Sequence, residues 1–330
     1  MLTSQEIKAR AQELGFDLCG IAPVGDHAEL KFFQEWLARG YAGEMEYLKR
    51  SAERRADVRA VLPSARSVIV TATVYNTDRP YSTQCADPGR AQIARYAWGD
   101  DYHDVIGRRL DALLAWMREE KSRETSPEPF EARAFVDTGP VQERVYAQYA
   151  GIGWIGRNTC VINPERGSWI FLSAIICSLP LEIDAPAFDR CGTCTLCLEA
   201  CPTQALVAPG VLDSTRCISY LTIELKGDIE APLRAAIGSH VYGCDICQEV
   251  CPWNAAPGMS DDPAWQPRPA WDAVEVRALS ERTDDDLRAS LRGSAMRRTR
   301  IAGLRRNIAV ALDNRDRAGS PGPTHPAGAV

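Results

Sequence analysis

Two spacings of apolar residues alternate along this chain, and the switches between them predict its elements. Ser67 to Tyr75 reads SVIVTATVY, β-branched and almost wholly apolar, which predicts a central strand buried on both faces. Phe16–Val24 and Phe130–Val136 predict two more strands, the second ending at Asp137. Between them, Ile106, Leu110, Leu113, Leu114 and Met117 fall on one face of a helix over Asp104–Glu120. Thr3-Ser4-Gln5-Glu6 is a capping box, followed by Ile7, Ala11 and Leu14 on one helical face and by Gly15. Val141–Ala150 is helical, with Gly151 as its stop. Thr159–Asn163 and Trp169–Cys177 read as paired strands about the turn Pro164-Glu165-Arg166-Gly167. The mixture predicts an α/β or α+β domain over residues 1–180. Prolines then punctuate a second unit, 181–257, and a short helical segment follows within 258–314, its helix over Leu279–Leu312. The Gly-, Pro- and Ala-rich end, 315–330, predicts a disordered tail.

Composition narrows the class. The 330 residues are 45 % hydrophobic and 25 % charged, enough for two or three soluble domains. No apolar run reaches the roughly 18 residues of a membrane span, and Met1–Gly15 is charged and amphipathic, not a signal sequence. A cytoplasmic, monomeric protein without membrane contact is expected. At a net charge of −6, a nucleic-acid partner would need a local basic patch.

The cysteines carry the chemistry. One run is Cys191-x-x-Cys194-x-x-Cys197-x-x-x-Cys201-Pro202; the other is Cys217, a long gap, then Cys244-x-x-Cys247-x-x-x-Cys251-Pro252. Three thiolates spaced by three residues wrap one [4Fe–4S] cube, and the cysteine before proline ligates the other cube. The spacing predicts two clusters in a ferredoxin-like module: Cys191, Cys194, Cys197 and Cys251 hold one, and Cys201, Cys217, Cys244 and Cys247 the other. Zinc could use the C-x-x-C pairs but gives no reason for the longer run. Disulfides do not suit a reducing compartment. Of the other four cysteines, Cys19 and Cys177 read as inert core residues, Cys85 as exposed, and Cys160 as structural.

No nucleotide-binding glycine fingerprint is present. Instead, Arg95-Tyr96-Ala97, Asp101-Tyr102-His103, Phe135-Val136-Asp137, Glu143-Arg144, Gly167-Ser168-Trp169, Cys217 through Glu224, Tyr242-Gly243-Cys244-Asp245 and Cys251-Pro252-Trp253-Asn254, with Gly43-Glu44-Met45, span most of the chain. In this combination the chain resembles the epoxyqueuosine reductases, cobalamin-dependent iron–sulfur enzymes of queuosine synthesis in tRNA. The resemblance implies a nitroreductase-like, corrinoid-binding core like that of reductive dehalogenases, beside the ferredoxin-like module. It implies cobalamin cycling between cob(II)alamin and cob(I)alamin, a low-potential electron donor, and removal of an epoxide oxygen from tRNA-borne epoxyqueuosine.

Asp137 is the proton donor on that resemblance, with a carboxyl pKa raised by burial; read alone, it could equally cap the helix near Val141. General acid help to a departing oxygen is worth about 10²–10⁴-fold. The resemblance assigns corrinoid contacts to Arg55, Tyr96, Arg144, Asn158, Ser168, Trp169, Ser219 and Asp245. Arg144 could instead make a surface ion pair, Arg55 sits in a charge run, and Ser219 and Asp245 could serve the cluster thiolates. His103 is expected near the site without binding cobalt, and Arg157 stands where many family members carry lysine.

From Arg292 to Arg306 there are six arginines and no acidic residue. Arg297, Arg298, Arg300, Arg305 and Arg306 are the expected tRNA contacts, with Arg297/Arg300 and Arg298/Arg305 spaced to share helix sides. A solvated basic face is the plain alternative. Two rival functions share parts of this pattern, a corrinoid reductive dehalogenase and a ferredoxin-like carrier. Salt-sensitive nucleic-acid binding separates the first from the tRNA enzyme, and cobalt content separates the second.

Overall fold

The apolar run Ser67–Val74 is the centre of a four-stranded sheet, and every one of its residues is buried. The computed structural model describes residues 2–85, 87–125 and 129–319. Strand order is Leu18–Pro23, Ser67–Val74, Ile170–Cys177, Ala132–Phe135, and each neighbouring pair is antiparallel. The apolar run thus signalled two covered faces, not strand direction. Ile69 and Ile175 point to one layer, where they meet Ile7, Ala11, Leu110, Leu113 and Met117 of the helices Ser4–Glu13 and Tyr102–Ser122. Val68, Val70 and Ile176 point to the other, against Val145 and Tyr146 of the helix Glu143–Tyr149. The capping box forms as the sequence predicts: Thr3 accepts from the Glu6 amide, and the Glu6 carboxylate accepts from the Thr3 amide.

The pairing expected between 159–163 and 169–177 is not made. Val161–Ile162 pairs instead with Trp154–Ile155, while Ile170–Cys177 enters the main sheet. The turn itself closes, since Asn163 and Gly167 exchange a bridge and the Asn163 side chain accepts from Glu165 and Arg166 amides. A two-stranded hairpin would leave one face of the apolar Ile170–Cys177 wet, whereas the sheet covers both.

Two short helices, Leu196–Glu199 and Ile246–Glu249, each carry one cysteine of a run, Cys197 and Cys247, with the other cysteines in the turns around them. The division at residue 180 is crossed by the chain: Gln92–Ile93 pairs in parallel with His240–Tyr242. A third core joins Ala91, Ile93 and Ala97 to Val241, Tyr242, Trp271, Leu279, Leu287, Met296, Leu304 and Ile308. The closing helix Arg300–Gly319 extends past Leu312 into the stretch expected to be disordered; the rest of that tail lies outside the described residues. Among the described residues no helix is long and apolar enough to cross a membrane.

Candidate active site and cluster module

The strand Ala132–Phe135 delivers Asp137 to the site on a tight reversal. Asp137 has φ 55°, a left-handed conformation unusual for a residue with a Cβ, and Thr138 N–H donates to the Val136 carbonyl around it. The strain argues for a positioned side chain over a neutral turn. It does not cap the next helix, whose N-cap is Gln142.

Three residues from the N-terminus of the helix Tyr102–Ser122 converge with it. Tyr102 O–H donates to Asp137 Oδ2 at 2.8 Å, and His103 Nε2 lies 3.5 Å from the same oxygen. His103 Nδ1 is 2.7 Å from Asp101 Oδ1, and Asp101 also caps the helix. The Tyr102 ring is stacked on Phe171 at 4.5 Å, so a core strand sets its direction, and Tyr96 backs it edge-on. Tyr96 O–H reaches Tyr242 O–H at 3.3 Å, so its polar end is turned toward the third core.

The electrostatics overturn one expectation. Surrounding protein pushes the Asp137 pKa up, but hydrogen bonds from His103 and Tyr102, with the charges of His103 and Arg144, outweigh it and hold the carboxyl below its usual range. Burial pulls His103 down, yet its hydrogen bonds to Asp101 and Asp137 and their charges carry it up to about 9. The pair is therefore an imidazolium–carboxylate pair at neutral pH, not a protonated carboxyl. The cause is local: two hydrogen bonds and two cationic neighbours act directly on the carboxylate, and together they exceed the effect of the protein packed behind it.

Glu143, marked in the sequence only as Arg144's neighbour, is the raised carboxyl instead. Burial and the Asp137 charge push it to about 7.

Of the expected corrinoid residues, Arg55 and Arg144 border this site. Arg55 donates to Ser51 Oγ and the Val141 carbonyl, and Arg144 Nη1 to the Thr159 carbonyl. Their second Nη atoms face no protein acceptor among the described residues, which suits amide or phosphate groups of a cofactor. Asn158 is buried and ties the site loop to the cluster module through the Cys247 carbonyl at 3.0 Å. Ser168 is engaged internally: its hydroxyl donates to Gln248 Oε1 and accepts from Asn254 Nδ2. The Trp169 ring is fully enclosed against Tyr75, Tyr81 and Arg95, so it is a core residue without an open face. Ser219 touches the Cys217 thiol through both backbone and hydroxyl. Asp245 accepts from the Arg95 amide at 2.6 Å, and burial raises its carboxyl to about 7.

The thiols lie in two groups. Burial raises Cys197 to about 11, with Cys251, Cys191 and Cys194 adding their charges. Burial likewise raises Cys217, which adjoins Cys201, and Cys244, which adjoins Cys217. Each cysteine before proline thus crosses to the other group. Among the described residues no three potential ligands close on a single-ion site. Trp154 Nε1 donates to Cys191 Sγ at 3.4 Å and the Ala205 amide to Cys201 Sγ at 3.3 Å. The Cys160 thiol hydrogen-bonds to Cys247, while burial pushes Cys19 to about 12 and Cys177 to about 11, leaving both unreactive.

The basic segment is not one helix. Arg297 and Arg298 belong to the short helix Ala295–Thr299, and the chain breaks at Arg300, with φ 59°, before the last helix begins. Arg305 is spent on Asp284 and the Ser280 carbonyl. Arg306 donates to the carbonyls of Leu221, Leu225 and Gly227. These two hold the last helix in place, which removes them from the expected phosphate contacts. Arg298 grips Glu224 with two bonds of 2.9 Å and covers Tyr47. Its charge reaches Asp137, and that of Arg297 reaches Asp101, so the exposed arginines border the site. Periodicity and spacing point to neither Tyr47 nor Glu224. Their signals in sequence are faint: Glu224 closes the Cys217–Glu224 motif, and Tyr47 lies just past Gly43-Glu44-Met45.

Comparison with known proteins places the chain in a family. Residues 55–138 match the family described as epoxyqueuosine reductase QueG, DUF1730, and residues 190–254 match a 4Fe-4S double cluster binding domain. An epoxyqueuosine reductase of Gloeobacter violaceus is 43 % identical over 94 % of this chain and 96 % of its own length. A crystal structure of epoxyqueuosine reductase with an epoxyqueuosine-modified tRNA-Tyr stem loop aligns with a TM-score of 0.81 at 30 % identity, covering 94 % of this chain and 81 % of that one. The Bacillus subtilis enzyme, solved with its catalytic loop swung out of the active site, also aligns with a TM-score of 0.81 at 30 % identity, covering 95 % of this chain and 82 % of its own. This chain belongs to the epoxyqueuosine reductase family.

Proposed function

We propose that this chain reduces epoxyqueuosine to queuosine at the tRNA wobble position, using two [4Fe–4S] clusters and a corrinoid. The observation that carries the reading is the meeting of Asp137, Tyr102 and His103 beside Arg55 and Arg144, with Asn158 joining this loop region to the cluster module through the Cys247 carbonyl. A bound corrinoid would supply low-potential electrons to the substrate, drawn through the clusters from a reducing donor. Cys191, Cys194, Cys197 and Cys251 would hold the outer cluster. Cys201, Cys217, Cys244 and Cys247 would hold the one nearer Asp245. Arg55 and Arg144 would grip the corrinoid's polar periphery.

The protein's own contribution is proton control. Loss of the epoxide oxygen as water consumes two electrons and two protons. His103 arrives charged and is oriented by Asp101, and Asp137 lies between it and open space. When ligands cover that open edge, water leaves and the charged pair loses its solvation. A neutral imidazole beside a protonated Asp137 then becomes the favoured form, and Asp137 gives its proton to the departing oxygen. Tyr102 keeps Asp137 Oδ2 pointed inward. Arg297 and Arg300 supply exposed charge for tRNA phosphates.

The test is conversion of epoxyqueuosine in tRNA by anaerobically reconstituted protein, followed by nucleoside mass spectrometry. Queuosine is expected with cobalamin and a strong one-electron reductant, and not with Asp137→Asn. Full activity of Asp137→Asn would sink the assignment.

A further inference from the structure

We propose that Glu143 is an internal proton reservoir for this site, holding the second of the two protons consumed and passing it to Asp137; the inference rests on the epoxide-reducing function above. Glu143 opens the helix that follows the Asp137 turn. Its Oε1 is closed off from solvent and has no hydrogen-bond partner. A buried carboxylate oxygen left this way is costly, and a proton removes most of the cost. The charged groups that face it are Asp137, Arg55 and Arg144. Burial and Asp137 push the carboxyl up and outweigh a hydrogen bond to its own backbone and the charges of Arg55 and Arg144, which pull it down; the arginines' hydrogen bonds go to Ser51, Val141 and Thr159 instead. Burial and the nearby Asp137 charge leave the group half-protonated at about pH 7, so it takes up and releases protons in the working range.

The balance is complete with two stores. Breaking the C–O bonds of the epoxide consumes two electrons, which an external low-potential donor would supply by way of bound clusters and corrinoid, and two protons, and it leaves an alkene and water. The first proton travels from His103 through Asp137 to the oxygen. That step leaves Asp137 ionised, and the emptied His103 no longer refills it. Glu143 then protonates Asp137 again, and Asp137 completes the water. Afterwards bulk solvent recharges both stores. Glu143 acts through Asp137 and does not touch substrate.

Two measurements test this on the full-length, cluster-loaded protein. Infrared difference spectra of the resting enzyme between pH 5.5 and 8.5 should contain protonated-carboxyl bands from Glu143 and Asp245 that titrate near pH 7, and the Glu143 component, the one left in Asp245→Asn, should be missing in Glu143→Gln. Unchanged bands in Glu143→Gln overturn the proposal whether or not the protein reduces epoxyqueuosine. In single-turnover conversion, the wild-type rate should fall as pH rises through about 7. Glu143→Gln should be slower by at least about tenfold and flat over that range, with wild-type iron and cobalamin content; Glu143→Asp should restore the limb. A Glu143→Gln enzyme that keeps the wild-type rate and limb also overturns it. If the infrared band behaves as expected but no variant converts this tRNA, the substrate assignment fails and Glu143 remains a proton store.

Discussion

Replacing Arg306 with alanine should weaken the fold and leave the electrostatics of tRNA binding alone, the reverse of what its place in an arginine-rich run suggests. Its guanidinium donates to the carbonyls of Leu221 and Leu225, both partly buried, and to Gly227, which is exposed. The exposed carbonyl recovers a water when the donor is removed. The other two forfeit a charged donor, at about 1–3 kcal/mol each, roughly 2–6 kcal/mol together. For a protein of this size that is a fall in Tm on the order of 3–9 °C. The comparison variant is Arg297→Ala, whose side chain is exposed and makes no ion pair with the protein among the described residues. Removing one cation that neutralises a phosphate lowers the slope of log K against log salt by about 0.7–0.9. Thermal unfolding under anaerobic conditions, paired with tRNA-binding isotherms at four salt concentrations, separates the two. Arg306→Ala should lose stability and keep its slope; Arg297→Ala should do the opposite. An Arg306→Ala protein of unchanged Tm with a reduced slope would refute the reasoning and return Arg306 to the nucleic-acid surface.

Other consequences follow from particular contacts. The His103 pKa is raised to about 9, so its ion pair stabilises the fold fully below about pH 6.5 and loses that contribution as pH rises through 9. Urea midpoints measured from pH 6 to 10 should therefore drop more steeply for the wild type than for His103→Gln, and parallel curves would remove the pair. Gly167 has φ +75°, and a Cβ there would stand 2.2 Å from Asn254 Oδ1. Gly167→Ala should break the Ser168–Asn254 junction, costing about 1–3 kcal/mol or more and lowering iron retention on gel filtration. Finally, Cys251→Ala and Cys201→Ala should each disrupt a different cluster, because each cysteine crosses to the other group. Mössbauer and EPR spectra should show the Cys191 cluster altered in the first variant and the Cys217 cluster in the second; damage confined to each cysteine's own run would contradict the crossed arrangement.

The sequence revealed much of this where a signal is local. The strand at Ser67–Val74 and the helix carrying Leu110 and Leu113 follow from periodicity. What it hid depends on partners distant along the chain. Ile170–Cys177 could have paired across its adjacent turn, but its two apolar faces are better covered in the central sheet. Arg305 and Arg306 look like Arg297 in sequence; only the carbonyls and Asp284 around them make them internal. Asp137 carries its motif plainly, yet its charge state depends on His103, brought in by a helix that starts 35 residues earlier, beside the Tyr102 hydroxyl. Glu143 was hidden for the same reason, since an orphaned oxygen is a property of packing.

The central claim is that Asp137 delivers protons to an epoxide oxygen lost from tRNA-borne epoxyqueuosine. Its most direct test is single-turnover conversion with Asp137→Asn, in protein shown to carry wild-type iron, cobalamin and tRNA affinity. The account predicts that queuosine formation falls by about 10²–10⁴-fold while all three binding measures stay unchanged. Queuosine formed at the wild-type rate by that variant would contradict it.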